Sequence, residues 1–127
     1  MFPKERKMEF NYAVQWSLGK EGKNIDLISF RYSDQISSGC FCCCRGDVSV
    51  ALQKFKGLLR LAEHNSCSLF SEVSLGGNVV AKYQDGDILF HMEEETDETL
   101  SIFRLRIPSS VCVPTLQKLC KELESFA

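Results

Sequence analysis

Two stretches of this 127-residue chain carry nearly the same apolar pattern, and that duplication narrows the possible folds more than any other feature. The first is GDVSVALQKFKGLLRLAE (46–63), and the second is SSVCVPTLQKLCKELES (109–125). Each has valines two apart, then Leu-Gln-Lys, then apolar residues at helical spacing. Aligning the triplets matches Leu52 with Leu116, Phe55 with Leu119, Leu59 with Leu123 and Ala62 with Phe126. An apolar stripe with this period is an amphipathic helix with one buried face. The valines read as the tail of a strand, so the unit is a strand–helix junction used twice, with Phe41 and Phe103 matched in the strands ahead of it.

Outside the junctions the period drops to two. Over residues 9–18, Phe10, Tyr12, Val14, Trp16 and Leu18 alternate with Glu9, Asn11, Ala13, Gln15 and Ser17, which is a half-buried strand. Residues 24–33 and the CFCCC segment (40–44) read as the next strands, and a short strand over 48–50 leads into a first helix over about 51–64. In the second half, strands over 67–75, 78–84 and 87–93 are separated by GG and DGD, which suit tight antiparallel turns. The acidic run 93–98 reads as a solvated loop. Residues 99–107 form a strand with Phe103, Leu105 and Ile107 on one face and Arg104 and Arg106 on the other. Pro114 is placed at the first position of the last helix, where a missing N–H costs nothing.

The expected fold is therefore α+β: antiparallel β-sheets with two amphipathic helices, built from two similar strand–helix units. All of 1–127 forms a single domain, with pseudo-repeat halves of about 8–65 and 66–127. A chain of this length buries a core without staples.

Seven cysteines in a chain of near-neutral charge bear on the compartment. An odd count with Cys40, Cys42, Cys43 and Cys44 crowded on one strand makes a poor disulfide framework, because neighbours on a strand point to opposite faces. Free thiols imply a reducing compartment, the nucleus or cytoplasm. The alternative, a zinc site, wants paired ligands at spacings that His64 and His91 do not supply. No apolar run approaches a membrane span, and the charged N-terminus precedes no apolar segment, so no membrane association is expected.

Catalytic signatures are missing: no glycine-rich phosphate loop follows a strand, and neither H-E-x-x-H nor G-x-S-x-G occurs. Cys67 beside His64, or Cys112 at a helix start, can be imagined as nucleophiles without further support, and His91 inside a strand reads as structural. The chain is expected to be non-enzymatic, without cofactor or small-molecule substrate.

What stands out is positive charge. Lys54, Lys56 and Arg60 occupy the outward face of the first helix, and Arg104 and Arg106 one strand face with Lys82 nearby. Such cations attract a phosphate backbone without reading its sequence, although a merely solvated helix face has the same composition. A net charge of −2 confines any such contact to a local patch.

The stretch VSVALQKFKGLLRLAEHNSCSLFSEVSLGGNVVAKYQDGD, followed by LSIFRLRIPSSVCVPTLQKLCKEL, resembles the DNA sliding-clamp family over about residues 47–126. That family comprises the proliferating-cell nuclear antigen and the checkpoint clamp subunits. The resemblance implies a binding and assembly module of DNA replication or repair, with helices lining a DNA-facing surface. Lys54, Lys56, Arg60, Lys118 and Lys121 would then face the phosphates, with protein partners or self-association completing a ring. The element order is also similar to the head domains of end-joining scaffolds and the centriolar cartwheel protein, which implies a dimer made through the last helix. Purine-rich-element-binding and Whirly proteins share sheet–helix repeats. They imply single-strand binding through Tyr12, Trp16, Tyr32, Arg104 and Arg106. A pleckstrin-homology-like interaction domain also ends in a helix after antiparallel strands.

Overall fold

A computed structural model describes residues 8–19, 22–64 and 72–126. The chain runs β1 (Glu9–Gly19), β2 (Gly22–Ser33), β3 (Ser38–Cys43), α1 (Val48–Glu63), β4 (Glu72–Gly76), β5 (Val79–Gln84), β6 (Asp87–Glu95), β7 (Leu100–Pro108) and α2 (Ser109–Glu124). It is α+β, with a three-stranded sheet ordered β1-β2-β3, a four-stranded sheet ordered β4-β5-β6-β7 and two helices. Every strand pair is antiparallel. The expected strand segment 67–71, Cys67 within it, and the Leu18 side chain lie outside the described residues.

Alternation decides which sheet faces are buried. Phe10, Ile28, Phe30, Tyr32, Phe41 and Cys43 turn inward from the first sheet, and Val79, Ala81, Tyr83, Ile88, Phe90 and Ile107 from the second. Phe30 sits at the centre, its ring 5.2 Å from Phe10, 5.3 Å from Phe41 and 5.9 Å from Phe55 of α1. The two sheets meet where the Phe41 and Phe90 rings stand 4.8 Å apart. Each buried phenylalanine is worth about 1.5–3 kcal/mol of transfer free energy. Among the described residues no polar or charged side chain is buried.

The helices complete the core. α1 packs on β4 and β5, α2 on β1 and β7, and the two helices pack on each other. The first strand and the last helix are joined where the Thr115 hydroxyl donates to the Phe10 carbonyl and the Trp16 ring lies 4.6 Å from that of Phe126. A backbone hydrogen bond of 2.9 Å from the Cys44 N–H to the Leu75 carbonyl ties the exit of β3 to β4.

Several boundaries differ from expectation, each for a local reason. Residues 48–50 are helical and not a strand. Gly46, at φ 101°, ends the extended run, and the Asp47 carboxylate accepts from the Ser49 N–H at 2.7 Å, so Asp47 caps the helix ahead of Val48. In the second copy, too, Val111 and Val113 lie inside the helix, and Pro114 is inside α2 and not at its start. The Val-x-Val pairs are also one residue out of step with Leu-Gln-Lys. In helical register Val48 corresponds to Cys112, and both are buried. The acidic run is loop only from Thr96 to Thr99, where the Thr96 N–H donates to the Thr99 carbonyl at 2.8 Å; Glu93, Glu94 and Glu95 belong to β6. The Asp85-Gly86 turn behaves as expected, with φ of 51° and 83°, as a two-residue hairpin of the I′ type requires.

Candidate functional site

The seven cations fall into two groups on different surfaces. Lys54, Lys56, Arg60, Lys118 and Lys121 belong to the helix layer. Arg104 and Arg106 alternate along β7 with Phe103, Leu105 and Ile107, which point into the core that the helices also line. The four-stranded sheet therefore stands between these two arginines and the helices.

Within the helix layer the inward stripes are apolar: Leu52, Phe55, Leu58 and Leu59 on α1, and Leu116, Leu119 and Leu123 on α2. Outward, α1 carries three cations and one anion, Glu63, whereas α2 carries Lys118 and Lys121 beside Glu122 and Glu124. At 100° per residue, Lys54 and Lys56 stand about 200° apart, on opposite flanks of the helix. Lys56 faces α2, where its Nζ lies 3.0 Å from Glu124 Oε1. Lys54 leans toward β3, near enough to the Cys43 and Cys44 thiols to act on them electrostatically. The α1 face is thus not one continuous basic strip: Arg60 is its one exposed cation, with Lys54 and Lys56 half-buried, while Lys118 and Lys121 are exposed on α2.

The second surface is the outward face of β4–β7. It holds a hollow of about 620 Å³ whose lining includes Glu72, Val80, Lys82, Leu89, His91, Arg104 and Arg106. Cross-strand register assembles it: Lys82 pairs with Leu89 and Leu89 with Arg106, while Val80 pairs with His91 and His91 with Arg104. Arg104 Nε donates to His91 Nδ1 at 3.3 Å, and His91 Nε2 contacts Glu93 Oε1 at 3.0 Å. Both imidazole nitrogens are therefore engaged. Arg106 Nε is 3.4 Å from Asp87 Oδ2. Glu93 and Glu95 lie further along the same face of β6, opposite Ile102 and Leu100 of β7. Sequence reading missed these four residues, although alternation from Arg104 alone puts Ile102 and Leu100 on its face.

The thiols divide by burial. Cys40 and Cys42 are exposed on β3; Cys43, Cys44, Cys112 and Cys120 are buried. Hydrogen bonding with Cys44 and burial push the Cys43 thiol far up, and burial pushes Cys112 up. Cys112 is thus a core residue. Among the described residues no His, Cys, Asp and Glu side chains gather as a metal site would need.

The aromatic residues of the single-strand reading are not on the arginine surface. Tyr32 is buried and donates to Asp34 Oδ2 at 2.6 Å, the Tyr12 hydroxyl approaches the Lys118 carbonyl at 3.4 Å, and Trp16 packs on Phe126. The stripe of the last helix, which a cartwheel-type dimer would use, is spent on the core. No described helix is long and apolar enough to cross a membrane. Compared with protein families, curated proteins and solved structures, the chain matches none.

Proposed function

We propose that this chain is a non-enzymatic binding and assembly module of DNA metabolism, sliding-clamp-like in its use of a helix layer against a DNA backbone. The observation that carries this reading is the pairing of α1 with α2. Both helices turn their apolar stripes inward and stand side by side, bridged by Lys56 and Glu124, so that Arg60, Lys118 and Lys121 lie on one outward layer, with Lys54 on the β3 flank of α1. Phosphate contacts of this kind position a duplex without reading bases. Arg104 and Arg106, on the far side of the sheet, are outside this footprint.

The test is a fluorescence-anisotropy titration with labelled single- and double-stranded DNA at two salt concentrations. Wild type is expected to bind, preferring duplex and weakening steeply with salt. Lys54→Glu with Arg60→Glu, and separately Lys118→Glu with Lys121→Glu, are expected to lower affinity and flatten the log–log salt slope by about 2. Absence of binding at low salt, or variants that bind as wild type does, would sink the helix-layer reading.

A second reading, a dimeric scaffold head of the end-joining or cartwheel kind, is favoured by the element order of three strands, helix, four strands, helix. Because the stripe of α2 is buried, such a head would have to assemble through another surface.

A further inference from the structure

A strand at the end of a sheet presents a row of unpaired backbone N–H and C=O groups, and folded proteins blunt such edges. Of the four sheet edges here, three are blunted. β1 shifts register between Gln15 and Trp16, and α2 reaches its outer edge where the Thr115 hydroxyl donates to the Phe10 carbonyl. β3 has six residues, and the chain leaving it is tied to β4 where the Cys44 N–H meets the Leu75 carbonyl at 2.9 Å. β4 has five residues and shifts register between Ser74 and Gly76. β7 differs. It runs nine residues without a shift, and its one proline, Pro108, comes last.

Register identifies the backbone groups left over on β7. The Thr96 N–H donates to the Thr99 carbonyl at 2.8 Å, and the Ser109 N–H to the Gly86 carbonyl at 2.9 Å, one bond at each end of the β6–β7 pair. Hydrogen-bonded pairs alternate along an antiparallel ladder, so Ser101, Phe103, Leu105 and Ile107 are the residues bonded to β6. The N–H and C=O groups of Leu100, Ile102, Arg104 and Arg106 therefore point to the outer edge. Among the described residues no hydrogen bond reaches them. The side chains of the same four residues are exposed, Leu100 by 59% and Ile102 by 49%.

We propose that β7 takes up an extended segment of another protein as a further antiparallel strand. In such strand addition the main-chain hydrogen bonds hold the segment and its alternate side chains select it. Antiparallel addition continues the pattern of every pair in the sheet. Residues directly opposite each other share a face, so β7 specifies its partner position by position. Arg106 already has Asp87, its Nε 3.4 Å from Oδ2, and asks little of the residue opposite. Arg104 meets an imidazole nitrogen, His91 Nδ1, and among the described residues no carboxylate. An acidic side chain therefore belongs opposite Arg104, and apolar ones opposite Ile102 and Leu100. From N- to C-terminus the segment reads acidic-x-apolar-x-apolar.

A nucleic acid has no alternating N–H and C=O groups to offer this edge. A second copy fits it less well than such a segment. Twofold pairing centred on Ile102 or Phe103 sets Arg104 against an apolar residue, and pairing centred on Arg104 sets two arginines opposite each other. The inference is independent of the helix-layer reading, since the edge of β7 includes no part of α1 or α2.

Fluorescence anisotropy with the labelled peptide Thr-Thr-Thr-Glu-Thr-Val-Thr-Val-Thr tests it. Aligned antiparallel, its glutamate opposes Arg104 and its valines oppose Ile102 and Leu100. Wild type is expected to bind this peptide about tenfold more tightly than one with lysine in place of glutamate, and Arg104→Glu to reverse that order. N-methylating the glutamate, whose N–H would reach the Arg104 carbonyl, is expected to weaken binding about tenfold. N-methylating the threonine after it, whose N–H faces away from β7, is expected to leave binding unchanged. Ile102→Pro removes an N–H that points outward, so the variant should keep the wild-type circular-dichroism spectrum and lose the peptide. The proposal is overturned by absence of binding, by equal binding of the two methylated peptides, or by a charge preference that Arg104→Glu leaves as it was. The methylated pair decides even where Ile102→Pro fails to fold. A wild type that dimerises in sedimentation equilibrium, with Ile102→Pro monomeric, would assign the edge to a second copy and overturn it as well. Folded Ile102→Pro is expected to bind DNA as wild type does, which separates this outcome from failure of the helix-layer reading.

Discussion

Lys56 Nζ on α1 and Glu124 Oε1 on α2 lie 3.0 Å apart, with both side chains about half exposed. The bridge joins the two helices and also cancels one cation of the layer proposed to meet DNA. Exposed pairs of this kind contribute little to stability. Glu124→Gln is therefore expected to cost less than about 1 kcal/mol in urea denaturation. It should raise low-salt DNA affinity severalfold and steepen the log–log salt slope by about 1. Unchanged affinity would show that Lys56 is not at the contact.

Pro114 is exposed and inside α2, where its ring removes the N–H that would reach the Ser110 carbonyl. Pro114→Ala is expected to stabilise the protein by about 1–3 kcal/mol, read from the urea midpoint. A loss of stability would instead mean that the proline's bend is needed to seat Thr115 against the Phe10 carbonyl.

Asp34 closes the turn between β2 and β3. Its carboxylate accepts from the Tyr32 hydroxyl at 2.6 Å and from the Ser37 and Ile36 N–H groups at 2.7 Å each, which lowers its pKa from 3.8 to about 2. A carboxylate with a depressed folded-state pKa contributes stability that is fully present above its ordinary pKa and is lost as pH falls toward the lower value. Asp34→Ala is thus expected to be less stable than wild type near neutrality and to converge with it as pH falls from 3.8 to about 2. Parallel stability curves across that window would contradict the assignment.

Alkylation should follow burial. Cys40 and Cys42 are expected to react with iodoacetamide first, and Cys43, Cys44 and Cys112 only on unfolding, as resolved by peptide mass spectrometry. Burial and then Glu124 push the Cys120 thiol from 9.0 to about 11, which leaves about 100-fold less thiolate there at neutral pH. Labelling of Cys43 as fast as Cys42 would show that the β3 edge opens in the native state.

How much of this was legible in the sequence depends on the range of the interaction that decides each feature. The strict alternation from Phe10 to Trp16 and the stripes Leu52-Phe55-Leu59 and Leu116-Leu119-Leu123 are period signals, and the elements they announce are present. Valine's preference for strands misled at Val48 and Val50, because the Asp47 cap and the Gly46 backbone together start the helix earlier. Three consecutive glutamates looked too polar for a strand. Yet Glu93, Glu94 and Glu95 extend β6 because the end of the hairpin is solvated and Leu100 and Ile102 supply its partners. The outward aim of Arg104 and Arg106 followed from alternation, whereas the Arg104–His91 contact did not. It depends on cross-strand register, which the turn at Thr96 and Thr99 sets. The split between Lys54 and Lys56 was available from helical geometry alone and was hidden by reading the outward residues as one set.

The contact between β1 and α2 also constrains how the protein is made. A ribosome delivers the first strand long before α2, and Phe10 and Trp16 find Thr115 and Phe126 only once α2 has emerged. Until then the inner face of the nascent β1–β2 hairpin shows aromatic rings to solvent. Contacts this distant in sequence are slow to form. A chain stalled or truncated before Ser109 is therefore expected to need a chaperone, and the arrival of α2 is the step that lets the core close.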